Sequence, residues 1–285
     1  MRISIIIPCK DDKKVINCVD SIDDPMVEVV IVFNGSTTTF VTWVKKNLLG
    51  RAVKYLNIGE ANLALALETG TWSASNDLIL YIDSDCIFEK GAIRRFKKVA
   101  QNGNPGNEVF KGEVIFSHNG WVSKIVAKSR QHHTGERLTA YKPPLLISKK
   151  IAGKIGGYFF NKKLIWREDS DLDNRIRNAG IKILPVKGGI IYHGAITIKT
   201  DLRSTFRYGI GGAIADTLNI KLTEVPRSFK STLKSQGIIP ALYMLFRNRF
   251  YTAGYYYFLL KEGHYNFIIA KILKAKSSNL FSSFL

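Results

Sequence analysis

Cysteine and acidic residues are the two shortages of this 285-residue chain. Its three cysteines, Cys9, Cys18 and Cys86, are odd in number and never spaced C-x-x-C, which excludes a disulfide framework and a cysteine-rich zinc cluster. They fit a reducing, cytoplasmic setting. Only 23 Asp and Glu stand against 42 Lys and Arg, a net charge of +19, so a polyanionic partner is expected: nucleic acid, an anionic membrane or a phosphorylated substrate. RNA-recognition and zinc-finger signatures are missing, and nucleic acid is therefore not the expected partner. No G-x-G-x-x-G follows the first strand and no G-x-x-x-x-G-K-[ST] occurs, which disfavours a nicotinamide dinucleotide fold and a P-loop. The charge-free apolar runs 237–246 and 250–260 hold ten and eleven residues, short of the roughly 20 that span a bilayer. The chain starts directly on the strand-like residues 2–8 without a leader pattern, so secretion is not expected.

What is present is a folded composition, 46% hydrophobic and 23% charged, in a chain long enough to bury a full core. Residues 3–7 form a β-branched run ended by Pro8, and Val15, Ile16, Val19 and Ile22 follow at helical spacing. Residues 27–33 make a second strand ending at Asn34-Gly35-Ser36, and 40–49 a helix stopped by Gly50. A third strand at 53–56, a helix at 62–73 and a fourth strand at 77–82 complete the series. Strands without alternation, each followed by a helix, imply a parallel sheet covered on both faces, whose ligands bind beyond the strands' carboxyl ends. Pro8, Cys9, Lys10 and Asp11, then Asn34, then Asp83-Ser84-Asp85 all fall on that edge.

Asp83-Ser84-Asp85 is the most informative of these. By itself the spacing also describes an ordinary turn. At the end of a buried strand, beside two other loops of the same edge, it makes an oxygen-ligand site for Mg²⁺ or Mn²⁺. Further on, a Gly156-Gly157 turn precedes Glu168-Asp169-Ser170-Asp171-Leu172-Asp173. Acids at a helix start complement its dipole, and Ser170-x-x-Asp173 has the form of a capping box, but four acids in six positions exceed what capping needs. Residues 181–184 and 188–192 read as two strands, the second ending at His193, whose imidazole suits the same metal.

This order of motifs resembles the inverting glycosyltransferases of family 2, which have the nucleotide-sugar-binding GT-A fold. Residues 3–8 look like their opening strand, and 30–37 like their second strand and turn. Asn57-x-Gly59, Gly70 and Ala74 resemble the stretch before the metal site, and Asp83-Ser84-Asp85 resembles the DxD motif. Gly156-Gly157-Tyr158 followed by Glu168-Asp169-x-Asp171-Leu172-x-x-Arg175 resembles the acceptor-side signature. The resemblance covers about residues 1–200 and implies an α/β GT-A catalytic domain with a mostly parallel sheet, followed by a helical region over 201–285. It implies a nucleoside-diphosphate sugar donor, a hydroxyl acceptor on a glycan or lipid-linked carrier, and Mn²⁺ or Mg²⁺ on Asp83, Asp85 and His193. Asp169 is the implied base, with Glu168 as the second candidate; Lys10, Arg175 and Arg207 are candidate diphosphate contacts. Phe33-Asn34 stands where relatives carry Asp-Asp, and their Arg-Asn pair after Asn57-x-Gly59 is missing.

From Lys199 onward the chain holds thirteen basic and four acidic residues. Tyr243, Tyr251, Tyr255, Tyr256 and Tyr257 lie in or beside its two apolar runs, a pattern that fits either helices packed on the catalytic domain or a peripheral contact in which arginines and tyrosines meet an anionic membrane on the cytoplasmic face. The competing readings are a nucleotidyltransferase, a catalytically silent relative and a basic nucleic-acid-binding protein. His132, His133 and Glu136 are left out of the metal site as surface residues.

Overall fold

A computed structural model describes residues 1–131, 138–223 and 229–268; His132, His133 and Glu136 lie outside them. Strands β1 (Ile3–Cys9), β2 (Glu28–Asn34), β3 (Val53–Ile58) and β4 (Leu78–Tyr81) run parallel. With β5 (Cys86–Phe88), β6 (Glu108–Phe116), β7 (Leu145–Ser148) and β8 (Lys182–His193) they form one eight-stranded sheet in the order β3-β2-β1-β4-β7-β6-β8-β5. Strand β7 is antiparallel to β4 and β6, and β5 is antiparallel to β8. Four of the seven strand pairings are parallel and three antiparallel, so the sheet is mixed with parallel pairing in the majority, as expected; the antiparallel strands enter after β4, where connections stop being crossover helices.

The strands that read as unbroken apolar runs do so because both sheet faces are buried. Ile5, Ile7, Ile31 and Phe33 enter one core; Ile6, Val30 and Val32 point into the other. Helix α3 (Leu63–Ser73) comes close enough that a Cβ on Gly70 would lie 2.7 Å from Ile6 Cγ2 and 2.9 Å from Val32 Cγ2. Helix starts follow their caps: Thr37 accepts from Phe40 N before α2 (Thr38–Asn47), and Asn62 accepts from Leu65 N before α3. Helices α1 (Val15–Asp20), α4 (Ala92–Asn102) and α5 (Trp121–Arg130) complete the first half.

Three local readings change. The two strands expected at 181–184 and 188–192 are the single β8, because the pairing with β6 shifts register between Lys111 and Glu113 and is resumed past Gly188 and Gly189. The Ser170–Asp173 capping box is not formed: α6 (Glu168–Asn178) starts on Arg167 in a left-handed conformation, and Asp173 accepts from Ala140 N and Arg177. The two apolar runs near the C-terminus are one helix, α9 (Ile238–Lys261), since Arg247 turns inward instead of interrupting it. Helix α9 packs on α7 (Ile198–Thr217), α8 (Phe229–Gln236) and α5. Among the described residues no helix is long and apolar enough to cross a membrane.

Candidate functional site

A cleft of about 530 Å³ opens beyond the carboxyl ends of β1, β2 and β4. Pro8, Cys9 and Lys10 end β1, Asn34 ends β2, and Asp83, Ser84 and Asp85 follow β4; all seven line it. Asp169 enters from the first turn of α6 and His193 from the end of β8. Nine residues singled out from sequence, more than 180 positions apart at the extremes, thus share one wall.

The metal-side groups are tightly placed. His193 Nε2 lies 3.2 Å from Asp85 Oδ2, and its Nδ1 lies 2.8 Å from the carbonyl oxygen of Gly194. A carbonyl only accepts, so Nδ1 carries a proton, and in the neutral ring Nε2 turns a lone pair toward a carboxylate. Two acceptors at that distance require a proton or a cation between them. Donor atoms of Asp85, His193 and Cys86 fall within 4.8 Å of one another. Burial and the neighbouring acids hold the Cys86 thiol far above its ordinary range, so it stays protonated and donates to Asp85 Oδ1 at 3.7 Å. Burial also raises the Asp85 carboxyl, against the pull of His193. A carboxylate and an imidazole whose Oδ2 and Nε2 atoms stand 3.2 Å apart are donor types that fit Mn²⁺ or Mg²⁺.

Lys142 joins the two acid clusters. Its buried ammonium stands 3.0 Å from Asp83 Oδ1 and 3.7 Å from Glu168 Oε1. Burial opposes that charge, yet Asp83, Glu168 and Asp169 outweigh it and hold the amine protonated. Burial pushes Glu168 up to about 7 against the attraction of Lys142, and raises Asp169 as well. Lys111, in the middle of β6, donates to the carbonyls of Tyr141 and Pro143, and burial draws it down to about 7 despite Asp169 and Asp83.

Other expected residues lie elsewhere. Asp11 takes a positive φ and accepts from Thr37 N and Oγ1, tying the β1 loop to α2, while Asp12 lines the cleft and accepts from Ser84 Oγ at 3.0 Å. Glu168 is buried behind Lys142 rather than on the cleft wall. Gly156 and Gly157 take left-handed conformations that end a short 3₁₀ turn, outside the cleft lining. Arg175 is consumed by Asp171 and the carbonyls of Ile155, Tyr158 and Phe159. Arg207 sits over the Trp166 ring. Sequence reading missed Lys14, Lys111, Arg130, Tyr141, Lys142, Thr200 and Tyr208, all on the cleft wall. A lysine inside the apolar strand β6 was the one visible signal; the rest are brought in by the start of α1, the end of α5, α7 and the segment before β7.

The profile of glycosyl transferase family 2 matches residues 4–167, more than half of the chain. The chain belongs to glycosyl transferase family 2. This family 2 glycosyltransferase has the GT-A-type α/β fold expected from its motif order. Among solved structures it is similar to S. aureus TarS 1-349, at 17% identity and a TM-score of 0.54, covering 79% of this chain and 67% of that one. TarS 1-349 in complex with UDP-GlcNAc aligns with 16% identity and a TM-score of 0.55, over 79% and 68% of the two chains. A further structure of S. aureus TarS aligns over 90% of this chain and 54% of its own, at 13% identity and a TM-score of 0.53. No curated protein sequence matches significantly. The matched segment of the glycosyltransferase ends one residue before Glu168, so the acid pair of α6 lies outside the matched segment.

Proposed function

We propose that this enzyme performs metal-dependent inverting transfer of a sugar from a nucleoside diphosphate to a hydroxyl. One observation carries the reading: the Asp83–Asp85–His193 group and the Asp169 carboxylate, supplied by distant parts of the chain, face one cleft. Asp85 and His193, with Asp83 alongside, would hold Mn²⁺ or Mg²⁺, which when bound supplies positive charge to a diphosphate leaving group. Asp169 is the group with access to an acceptor and serves as its base; Glu168 is shielded by Lys142. Attack opposite the departing diphosphate inverts the anomeric centre, and carboxylates beside the ring favour its oxocarbenium character. Lys10, Lys14 and Arg130 supply positive charge to the cleft wall. Asn34 spends its carbonyl oxygen on Asn62 N at 2.7 Å, which leaves its NH₂ to donate to a base where an Asp would only accept.

The acceptor is read as a glycan or lipid-linked hydroxyl at the cytoplasmic face of a membrane, on the strength of the exposed apolar side of α9. One similar structure is a complex with UDP-GlcNAc, so UDP-sugars head the donor panel. The protein is incubated with nucleotide sugars and Mn²⁺, and release of nucleoside diphosphate is followed. Release should stop with EDTA and in Asp85→Ala, while Asp169→Asn should keep donor binding and lose about 10²–10⁴-fold in rate. Release indifferent to EDTA would sink the metal reading, and an active Asp169→Asn beside a dead Glu168→Gln would move the base by one residue.

A further inference from the structure

Helix α9 has two unlike sides. Its inner side is fixed against α7 by glycines: a Cβ on Gly209 would lie 2.0 Å from Tyr251 O, and one on Gly254 would lie 1.9 Å from Phe206 O. Four of the five tyrosines with a membrane-facing expectation belong to this side or its margins. Tyr243 donates to Asp201, Tyr255 to Asp216, Tyr251 accepts from Arg167, and Tyr256 is half-buried. Arg247, between the two apolar runs, is buried on Asp201 Oδ2 at 2.7 Å.

The outer side is a continuous exposed stripe of Leu242, Phe246, Arg249, Ala253, Tyr257 and Leu260 at helical spacing. Its N-terminal end widens. Ile238 and Ile239 meet Trp121 of α5, 75% exposed, across a shallow groove of about 330 Å³ that also carries Lys124 and Lys128. Leu233 on α8 is exposed nearby, flanked in sequence by exposed Lys230 and Lys234. Neither α5, α8 nor α9 contains an acidic residue.

We infer that the Trp121–Ile238–Ile239 surface, continued along the outer stripe of α9, seats this transferase on an anionic lipid surface. An exposed apolar patch of this kind, whose only charged residues within α5, α8 and α9 are cations, is complementary to a negatively charged bilayer interface, where the aromatic and aliphatic groups enter the acyl boundary and the lysines meet headgroups. A second copy of the chain would set cation against cation. Helix α5 links this surface to the cleft: Arg130, at its other end, lines the cleft and pairs with Asp201 of α7. Nine residue steps along the helix lead from Trp121 to Arg130, about 14 Å at 1.5 Å per residue. Under the transferase reading, the acceptor hydroxyl then arrives from the membrane side; lipid binding itself does not depend on that reading.

The test is flotation of the full chain with vesicles of phosphatidylcholine containing phosphatidylglycerol, against vesicles of phosphatidylcholine alone. The wild type should float with the anionic vesicles, less at high salt, and the triple variant Trp121→Ser, Ile238→Ser, Ile239→Ser should lose about tenfold or more in partitioning. All three positions are exposed and outside the cleft, so donor hydrolysis by the variant should match the wild type and reports a retained fold. The emission of Trp121, isolated as the difference between wild type and Trp121→Phe, should shift to the blue on adding vesicles. Absence of wild-type flotation, equal flotation of the variant, or a concentration-dependent dimer that the variant dissolves without any lipid binding would each overturn the inference. Flotation without nucleoside diphosphate release from any donor would leave it standing and count against the transferase reading alone.

Discussion

Glu168 shows how burial sets the protonation of a single residue. It sits beside the cleft-facing Asp169, but its carboxyl is buried against Lys142 and raised to about 7 from an ordinary 4.5. Between those values the folded protein holds a proton that the unfolded chain has released. Stability therefore declines as pH rises through that window, because the native state binds more protons than the denatured one. Glu168→Gln removes this loss. Its melting temperature should match the wild type near pH 4.5 and exceed it by roughly a few degrees at pH 8; a difference that stays flat with pH would contradict the buried, proton-holding carboxyl. Lys142 exerts the opposing pull, and it was invisible in sequence because a lysine ahead of two prolines carries no pattern of its own.

At the level of elements, the α7–α9 pair decides more than its composition suggests. Gly209 and Gly254 let the two backbones approach to a distance that no side chain tolerates. Gly254→Ala, in an ordinary helix interior, would stabilise by relieving backbone entropy. Here the added methyl meets the Phe206 carbonyl, the helices must separate, and a cost of about 2 kcal/mol or more is expected in chemical denaturation. An unchanged or raised midpoint would show that the helices are not in close contact.

Across the whole molecule, Asp201 is the joint between the sheet-bearing part and the C-terminal helices. It receives Arg130 of α5 at 2.6 Å, and Arg247 and Tyr243 of α9. Burial works against its charge, yet the two arginines and Tyr243 hold its carboxyl below the ordinary range. Thr200, Ser204 and Tyr208 of the same helix α7 line the cleft. A boundary at residue 200 therefore cuts through a buried ion cluster and the wall of the site. A fragment ending at Thr200 should lack a cooperative thermal transition, and Asp201→Asn in the full chain should lose about 3–5 kcal/mol by urea titration, the usual cost of stranding buried charge. A stable fragment with a sharp melt would show that the C-terminal helices are an appendage.

The first four strands and their helices were legible without coordinates, since buried parallel strands have unbroken apolar runs and each is followed by a stretch of helical spacing; only the start of α2, capped by Thr37, lies ahead of the expected residue 40. The Asp83–Asp85 pair and the three loops of one sheet edge followed from that order alone. What lay beyond was set by long-range packing: β7 reverses direction, and a register shift welds two apparent strands into β8. Arg175 and Arg207 looked like free cations because sequence does not record which carbonyls or rings will absorb a guanidinium. Local pattern fixes which faces a segment buries; only the assembled fold brings Lys111 and Lys142 between carboxylates, turns Arg247 inward, and leaves Trp121 and Ile238 outside. Burial and charge pairing are properties of neighbours in space, and those neighbours come from parts of the chain that share no local pattern.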